Sequence, residues 1–516
     1  MKTKLAVVVL LGLMARTAAA QDAKAVLQAA ATAMGTANVK SVQYSGAGWN
    51  TAMGQSYSAD TDWPRFEVTS YTRTIDYAAQ FSKEEVTRRQ GSYPGRGGGG
   101  TLLQGDQHLV SIVNGTSAWN LQGTDVRPAP ETSDVRQIEI LLSAHGFIKA
   151  AMAAANATAA SFTVAGPSEA GMTQNGRRMT IVSFTALGKY RVNGTINDQN
   201  LVEMVQTWIP NPVLGDTLYE TRSTEYKEFG GAKFPTFLHV HMGNFRLNAG
   251  HDYMEIKLTN VQPNVSVATV AVPDAVRQAT VQPARAESTK LADGVWLIGG
   301  GTHNSLAVEF RDFVAVVEAP LNEDRSLAVI GEVHKLIPGK TIRYIVNTHH
   351  HFDHSGGLRT YVAEGATVVT QQANRDFYQD VVFYPAPRTL LPDRLSTFYP
   401  TFVNARKEPI ETVSPRQKYV LSDGVRTMDL YPVEGLAHAA GMLMAYLPKE
   451  KILVNADLYS PPARGAQPPA SPTPTMVTLN QNIQRLKLDV IQHVPIHGQP
   501  GTMDEFLKMV GKSSSN

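Results

Sequence analysis

Val346-Asn347-Thr348-His349-His350-His351-Phe352-Asp353-His354-Ser355-Gly356-Gly357 follows directly on the apolar run Ile342–Val346, which reads as a strand. In an extended segment, residues two apart share a face, so His349 and His351 can converge on one metal ion while the turn carries Asp353 and His354 to a second. His350 alternates with two inward-pointing residues and is expected to point away. Gly356-Gly357 is expected to let the backbone turn sharply into a helix over Leu358–Glu364. Every donor is an imidazole or a carboxylate, a set that suits zinc, with iron or manganese admitted by ligand softness.

An adventitious surface run of histidines would not predict further isolated donors at the ends of other strands. Working outward, three such donors stand in the sequence. His438 follows Leu430–Leu436, Asp457 follows Ile452–Val454, and His497 follows Val490–Ile496 and precedes Gly498. Strand-to-loop junctions are where layered α/β sheets place their chemistry. His303, in Gly301-Thr302-His303-Asn304-Ser305 before a short strand, is a candidate substrate contact facing the same cleft.

The HxHxDH element followed by His, Asp and His in this order resembles the metallo-β-lactamase superfamily of metallohydrolases, over about residues 290–510. The resemblance implies a four-layer αβ/βα sandwich with a binuclear site between its sheets. Two Zn2+ per chain are expected: His349, His351 and His438 would hold the first, Asp353, His354 and His497 the second, and Asp457 would bridge them. It also implies hydrolysis by attack of a metal-bridging hydroxide, with Asp353 orienting it as the catalytic residue. Two positions depart from the family pattern. Glu318 stands where an Asp is usual at a strand end, which puts its supporting role in doubt, and Ala439 stands where many relatives carry Thr or Ser.

The chain has no cysteine, which excludes disulfides, thiolate metal sites and the β-lactamase subclass with a Cys ligand. Asp457 tilts the resemblance toward ester, lactone or thioester hydrolases of the glyoxalase II and lactonase type. A β-lactamase-type amide hydrolase, an iron persulfide dioxygenase and a catalytically silent metal-dependent binding or scaffold protein are the alternatives. The aromatic-rich stretch 376–409, with Phe377, Tyr378, Phe383, Tyr384, Phe398, Tyr399 and Phe402, is read either as a cap recognising an apolar or aromatic substrate or as packing on the sandwich.

The 516 residues carry 47 Lys+Arg against 45 Asp+Glu, a formal charge of +2, and 43% are hydrophobic. That composition is globular, and its near-balance gives no strong field for a phosphate backbone. The expected partner is a small molecule and not a nucleic acid, with a homo-oligomer left open. Lys2 and Lys4, an apolar run to Met14 and Ala18-Ala19-Ala20 follow the order of a cleavable secretory leader, residues 1–20, which sends the chain to the periplasm or outside the cell with no membrane span in the mature protein. Residues 21–285 alternate in strand fashion, with helices near 22–37 and over Val135–Ala155 and a hairpin around Asn114-Gly115-Thr116. They read as an antiparallel β-rich domain, weakly similar in pattern to periplasmic lipoprotein-carrier half-barrels. Near 285 the rhythm changes, and 286–516 alternates strands with helices. Gly97–Gly100 reads as a loop and not a phosphate cradle, and Ala463–Thr475 as an exposed Pro-rich loop.

Overall fold

The computed structural model describes residues 20–92, 103, 105–164, 176–244, 249–267, 270–384, 387–400, 409–462 and 471–511. The leader, apart from Ala20, lies outside the described residues, as do Gly97–Gly100, Phe402 and residues 463–470 of the Pro-rich stretch.

The amino-terminal part is one antiparallel sheet of 14 strands. Its middle is the ladder Val202–Asn211, Gly215–Phe229, Ala232–Asn244, Ala249–Pro263, Ser41–Thr51 and Arg65–Asp76. Helices Ala23–Met34 and Ala144–Ala153 cover part of it, with Val26, Leu27, Ala30, Phe147 and Ile148 packed against Val182, Phe184, Val192 and Val205. The hairpin is present: Asn114 pairs with Ser117, and Gly115 has φ 55, the left-handed conformation such turns need. The single helix expected over Val135–Ala155 is two, Ser133–Leu141 and Ala144–Ala153. The break comes at Ser143, whose hydroxyl accepts from the Gly146 amide at 3.2 Å and starts the second helix.

From Glu287 onward the chain builds two further sheets. The first has seven strands, Glu287–Ala292, Val295–Gly299, Ser305–Glu309, Val314–Val317, Ile342–Val346, Thr367–Gln371 and Ile410–Val413. The last three add in parallel, which demands crossovers, and helices Glu323–Leu336 and Leu358–Ala363 supply two of them. The second sheet has six strands, Tyr419–Ser422, Thr427–Pro432, Leu443–Leu447, Ile452–Asn455, Gln492–Pro495 and Gly501–Thr502. Leu297, Leu306, Val308, Ala315, Val317 and Val346 of one sheet meet Met428, Leu430, Leu443, Ala445, Val454 and Val494 of the other in a buried core. Val329, Val333, Leu358 and Tyr361 cover the first sheet's outer face; Leu479, Ile483 and Phe506 cover the second's. These are the four αβ/βα layers.

The two parts are stitched together. The Arg388 guanidinium donates to the carbonyls of Pro212 and Val213, each at 2.9 Å. The Asp216 carboxylate accepts from the Thr389 amide and hydroxyl at 2.8 and 2.7 Å. Of the aromatic stretch, Phe377, Tyr378 and Phe383 are buried in the same core as Leu358 and Tyr361, so these three pack the sandwich, whereas Tyr384 and Phe398 are exposed.

Candidate metal centre

Strand Ile342–Val346 ends in extended backbone that delivers Thr348 to His351 into the interior, where His349 and His351 are fully buried. A one-turn helix, Phe352–Ser355, then carries Asp353 and His354. Gly356 and Gly357 have ordinary right-handed backbone, φ −63 and −98, so the sharp turn expected of them is not their role. A Cβ at Gly356 would lie 2.0 Å from the Leu321 carbonyl oxygen, and one at Gly357 2.0 Å from Ser326 Oγ. The pair is there for close approach of the neighbouring loop.

The expected donors fall into two clusters, His349, His351, His438 and Asp457 in one and Asp353, His354 and His497 in the other, where His303, expected as a substrate contact, joins them; the ligand atoms within each lie within 4.8 Å of one another. Asp457 stands between them. Its Oδ2 is 2.9 Å from His438 Nε2, 3.3 Å from His349 Nε2 and 3.1 Å from His354 Nε2, while its Oδ1 is 3.0 Å from His497 Nε2. All seven ligands inferred from sequence are thus brought together, and His350 is not among them.

The far nitrogens of three imidazoles are held, which sets which nitrogen faces inward. His349 Nδ1 donates to Thr348 Oγ1 at 3.0 Å, and that hydroxyl donates to Glu318 Oε2 at 2.6 Å. His354 Nδ1 donates to the same carboxylate oxygen at 3.1 Å. His351 Nε2 donates to the Ser56 carbonyl at 2.8 Å. Buried His349 Nε2 and His351 Nδ1 are left without a hydrogen-bond partner, which in a dry site is costly unless something else satisfies them. Borderline divalent cations fit these orphaned nitrogens and the all-imidazole and carboxylate donor set.

A scan against family models matches residues 298–490 to the metallo-beta-lactamase superfamily. This domain belongs to that superfamily. The metallo-β-lactamase domain is also similar to solved structures, among them the metallo-beta-lactamase from Pontibacter korlensis, at 19% identity over 44% of this chain and 98% of that one with a TM-score of 0.32. Another is the metallo-beta-lactamase from Hirschia baltica, at 20% identity over 44% of this chain and 95% of that one with a TM-score of 0.31. A third is FIM-1 from Pseudomonas aeruginosa in its mono-zinc form, at 19% identity over 44% and 92% with a TM-score of 0.31. No curated protein is matched by the chain.

Within the metallo-β-lactamase domain, Glu318 takes the supporting role that its departure from the family pattern had put in doubt. It is fully buried, and besides Thr348 and His354 it accepts from Asn347 Nδ2 at 2.9 Å. Glu318 and Asp457 both have left-handed backbone, φ 79 and 57, a strain of the kind concentrated at functional sites. Electrostatics follow burial and neighbours. Burial, followed by the charge of His354, pushes His349 down to about 3, and burial with three neighbouring imidazoles holds His351 well below the ordinary range. Burial also disfavours the charged His354, but Asp457 and Glu318 outweigh it and raise this imidazole well above its usual value. Burial likewise opposes ionisation of Asp457, yet His354 and the surrounding imidazoles hold the carboxylate well below its usual range.

Three contributors escaped sequence reasoning: Gly54, Gln55 and the Ser56 carbonyl. Segment 52–64, between strands Ser41–Thr51 and Arg65–Asp76 of the amino-terminal sheet, enters the site from outside the domain. Gln55 Nε2 donates to Asp353 Oδ1 at 2.7 Å, and the Ser56 carbonyl accepts from His350 Nε2 at 3.0 Å as well as from His351. Gly54, with φ 74, lies where a Cβ would be 2.3 Å from the Phe352 ring, so a side chain there would push the segment out. His303, 6% exposed, places Nε2 3.2 Å from Asp353 Oδ2, inside the second cluster. Its contact is therefore with a metal-ligand carboxylate.

Proposed function

We propose that this is a binuclear zinc hydrolase that cleaves an ester, lactone or thioester bond of a small substrate. The observation that carries the reading is Asp457, whose two oxygens face His349, His354 and His438 on one side and His497 on the other at 2.9 to 3.3 Å. His349, His351 and His438 would hold one Zn2+ and Asp353, His354 and His497 the other. The chemistry such a pair of divalent ions would supply there is a water acidified toward a pKa of ~7 and polarisation of the scissile carbonyl. Asp353 is gripped from both oxygens, by Gln55 and His303, and its ionised form is favoured by the His303 hydrogen bond against the cost of burial. A carboxylate so held is suited to orient the attacking water and to pass its proton to the leaving group. The absence of cysteine and the presence of Asp457 support an ester or thioester class over an amide-cleaving β-lactamase. The leader supports action in the periplasm or outside the cell, and the near-balanced charge supports a small substrate over a nucleic acid.

The test is turnover by the purified full chain of a lactone, a thioester, an aryl ester and a chromogenic cephalosporin, with His351→Ala as control. Turnover of one of the first three, abolished in the variant, is the expected result. Turnover of the cephalosporin alone would overturn the substrate class. Full activity in His351→Ala would overturn the site, and two bound ions with no turnover of any substrate would favour a binding protein.

A further inference from the structure

We propose that His239, His241 and Asp252 form a third divalent-cation site, carried by the amino-terminal sheet. His239 and His241 lie two apart on strand Ala232–Asn244 and share a face. The register of the neighbouring strand makes the third donor. Val240 pairs with Met254, so an unbroken antiparallel ladder would set His241 opposite Tyr253 and put Asp252 on the opposite face. The ladder instead shifts between Val240 and His241, and His241 pairs with Asp252. A bulge is a device for re-aiming a side chain, and this one brings the carboxylate round to both imidazoles.

The donor atoms converge. Asp252 Oδ1 is 2.9 Å from His241 Nε2 and 3.2 Å from His239 Nε2, and the three ligand atoms lie within 4.8 Å of one another. An ion bonded at ~2.0–2.1 Å in tetrahedral geometry sets its donors about 3.3 Å apart, which matches. His239 Nε2 is buried and makes no hydrogen bond although the carboxylate is at 3.2 Å. That is the relation His349 Nε2 has to Asp457 in the sandwich, at 3.3 Å.

The supporting contacts are also those of a ligand set. His241 Nδ1 donates to Glu220 Oε1 at 3.0 Å, which turns Nε2 toward the site; Glu220 is itself buried and held by Gln206 and Arg222. Arg65 Nη2 donates to Asp252 Oδ2 at 3.3 Å and leaves Oδ1 for the ion. Two imidazoles and one carboxylate on a partly open face suit Zn2+, with Fe2+ the next candidate by ligand type. The site lies at the root of segment 52–64. Trp63 packs against His251 with ring centroids 4.6 Å apart and ring planes tilted by 45°, and Asp62 Oδ1 lies 3.3 Å from His251 Nδ1. An ion there would tie strands Ala232–Asn244 and Ala249–Pro263 together beside Arg65, the residue at which segment 52–64 ends.

The experiment is equilibrium loading of the full chain with Zn2+ alone, desalting, and elemental analysis of wild type, Asp252→Asn, His239→Gln/His241→Gln, and His351→Ala/Asp457→Ala. Asp252→Asn preserves shape and contact with Arg65, so it keeps the test independent of folding. Wild type is expected to hold one ion more per chain than either amino-terminal variant, and the His351→Ala/Asp457→Ala protein to retain one ion that adding Asp252→Asn removes. Equal zinc content in wild type and Asp252→Asn would overturn the proposal, whatever the sandwich binds.

Discussion

Glu318 makes no contact with a substrate-facing group, yet it holds His354 directly and His349 through Thr348. Its loss would leave two candidate metal-binding imidazoles free to turn, and contacts of this kind at metal sites are worth 10–100-fold in metal affinity or activity. Glu318→Ala is therefore expected to weaken zinc binding by about that factor in a chelator competition, and unchanged affinity would show the carboxylate to be idle. Gln55 differs, because it grips Asp353 and no imidazole. Gln55→Ala should lower kcat about tenfold, the worth of one hydrogen bond to a charged group, with bound metal unchanged. Loss of metal instead would place Gln55 in ion retention. The seven candidate ligands that the structure gathers could be picked out from sequence because their spacing is local or falls at strand ends, where residue type alone points to chemistry. Ser56 was not, since it acts through its backbone carbonyl from 295 residues away in the chain, and any residue type offers that group.

Among the elements, those that match expectation are those whose signal is local. Ile342–Val346 is an apolar strand and the Asn114-Gly115 hairpin forms where its turn residues stand. The break at Ser143 was invisible because apolar periodicity runs through it, and only the cap reveals it. Next to that cap, His145 is buried, with Thr36 Oγ1 at 2.9 Å from Nδ1 and the Lys233 carbonyl at 3.0 Å from Nε2. Burial pushes it from 6.5 down to about 4. The unfolded chain takes up this proton near pH 6.5 and the folded one only near 4, so stability is full above about 6.5 and falls as the pH drops through that window. The loss is of order 3 kcal/mol by pH 4. His145→Gln should cost stability at pH 7 but show a shallower decline in urea melts between pH 7 and 4.5. An equally steep decline in the variant would mean that His145 is not the group responsible.

On the scale of the molecule, the candidate metal centre is completed by a segment of the amino-terminal sheet, something composition and pattern could not register because the two parts read as separate rhythms. The Ala440 amide donates to the Tyr57 carbonyl at 2.6 Å and the Phe352 amide to that of Gly54 at 3.3 Å, so segment 52–64 touches both ligand-bearing loops. Replacing residues 53–57 by a Gly-Ser segment of equal length should leave the fold intact and yet lower activity more than Gln55→Ala does, because a flexible segment no longer holds the backbone carbonyl of position 56 against His351. Activity equal to wild type in that variant would make the segment a mere linker. The proposed hydrolysis would depend on two divalent ions held around Asp457. The most direct measurement is to strip the full chain with a chelator and titrate zinc back while following turnover of the best substrate. The expected result is no activity in the stripped protein, recovery as the two sandwich sites fill, and no recovery in Asp457→Ala at any zinc concentration. Undiminished turnover by the stripped protein, or full recovery in Asp457→Ala, would contradict it.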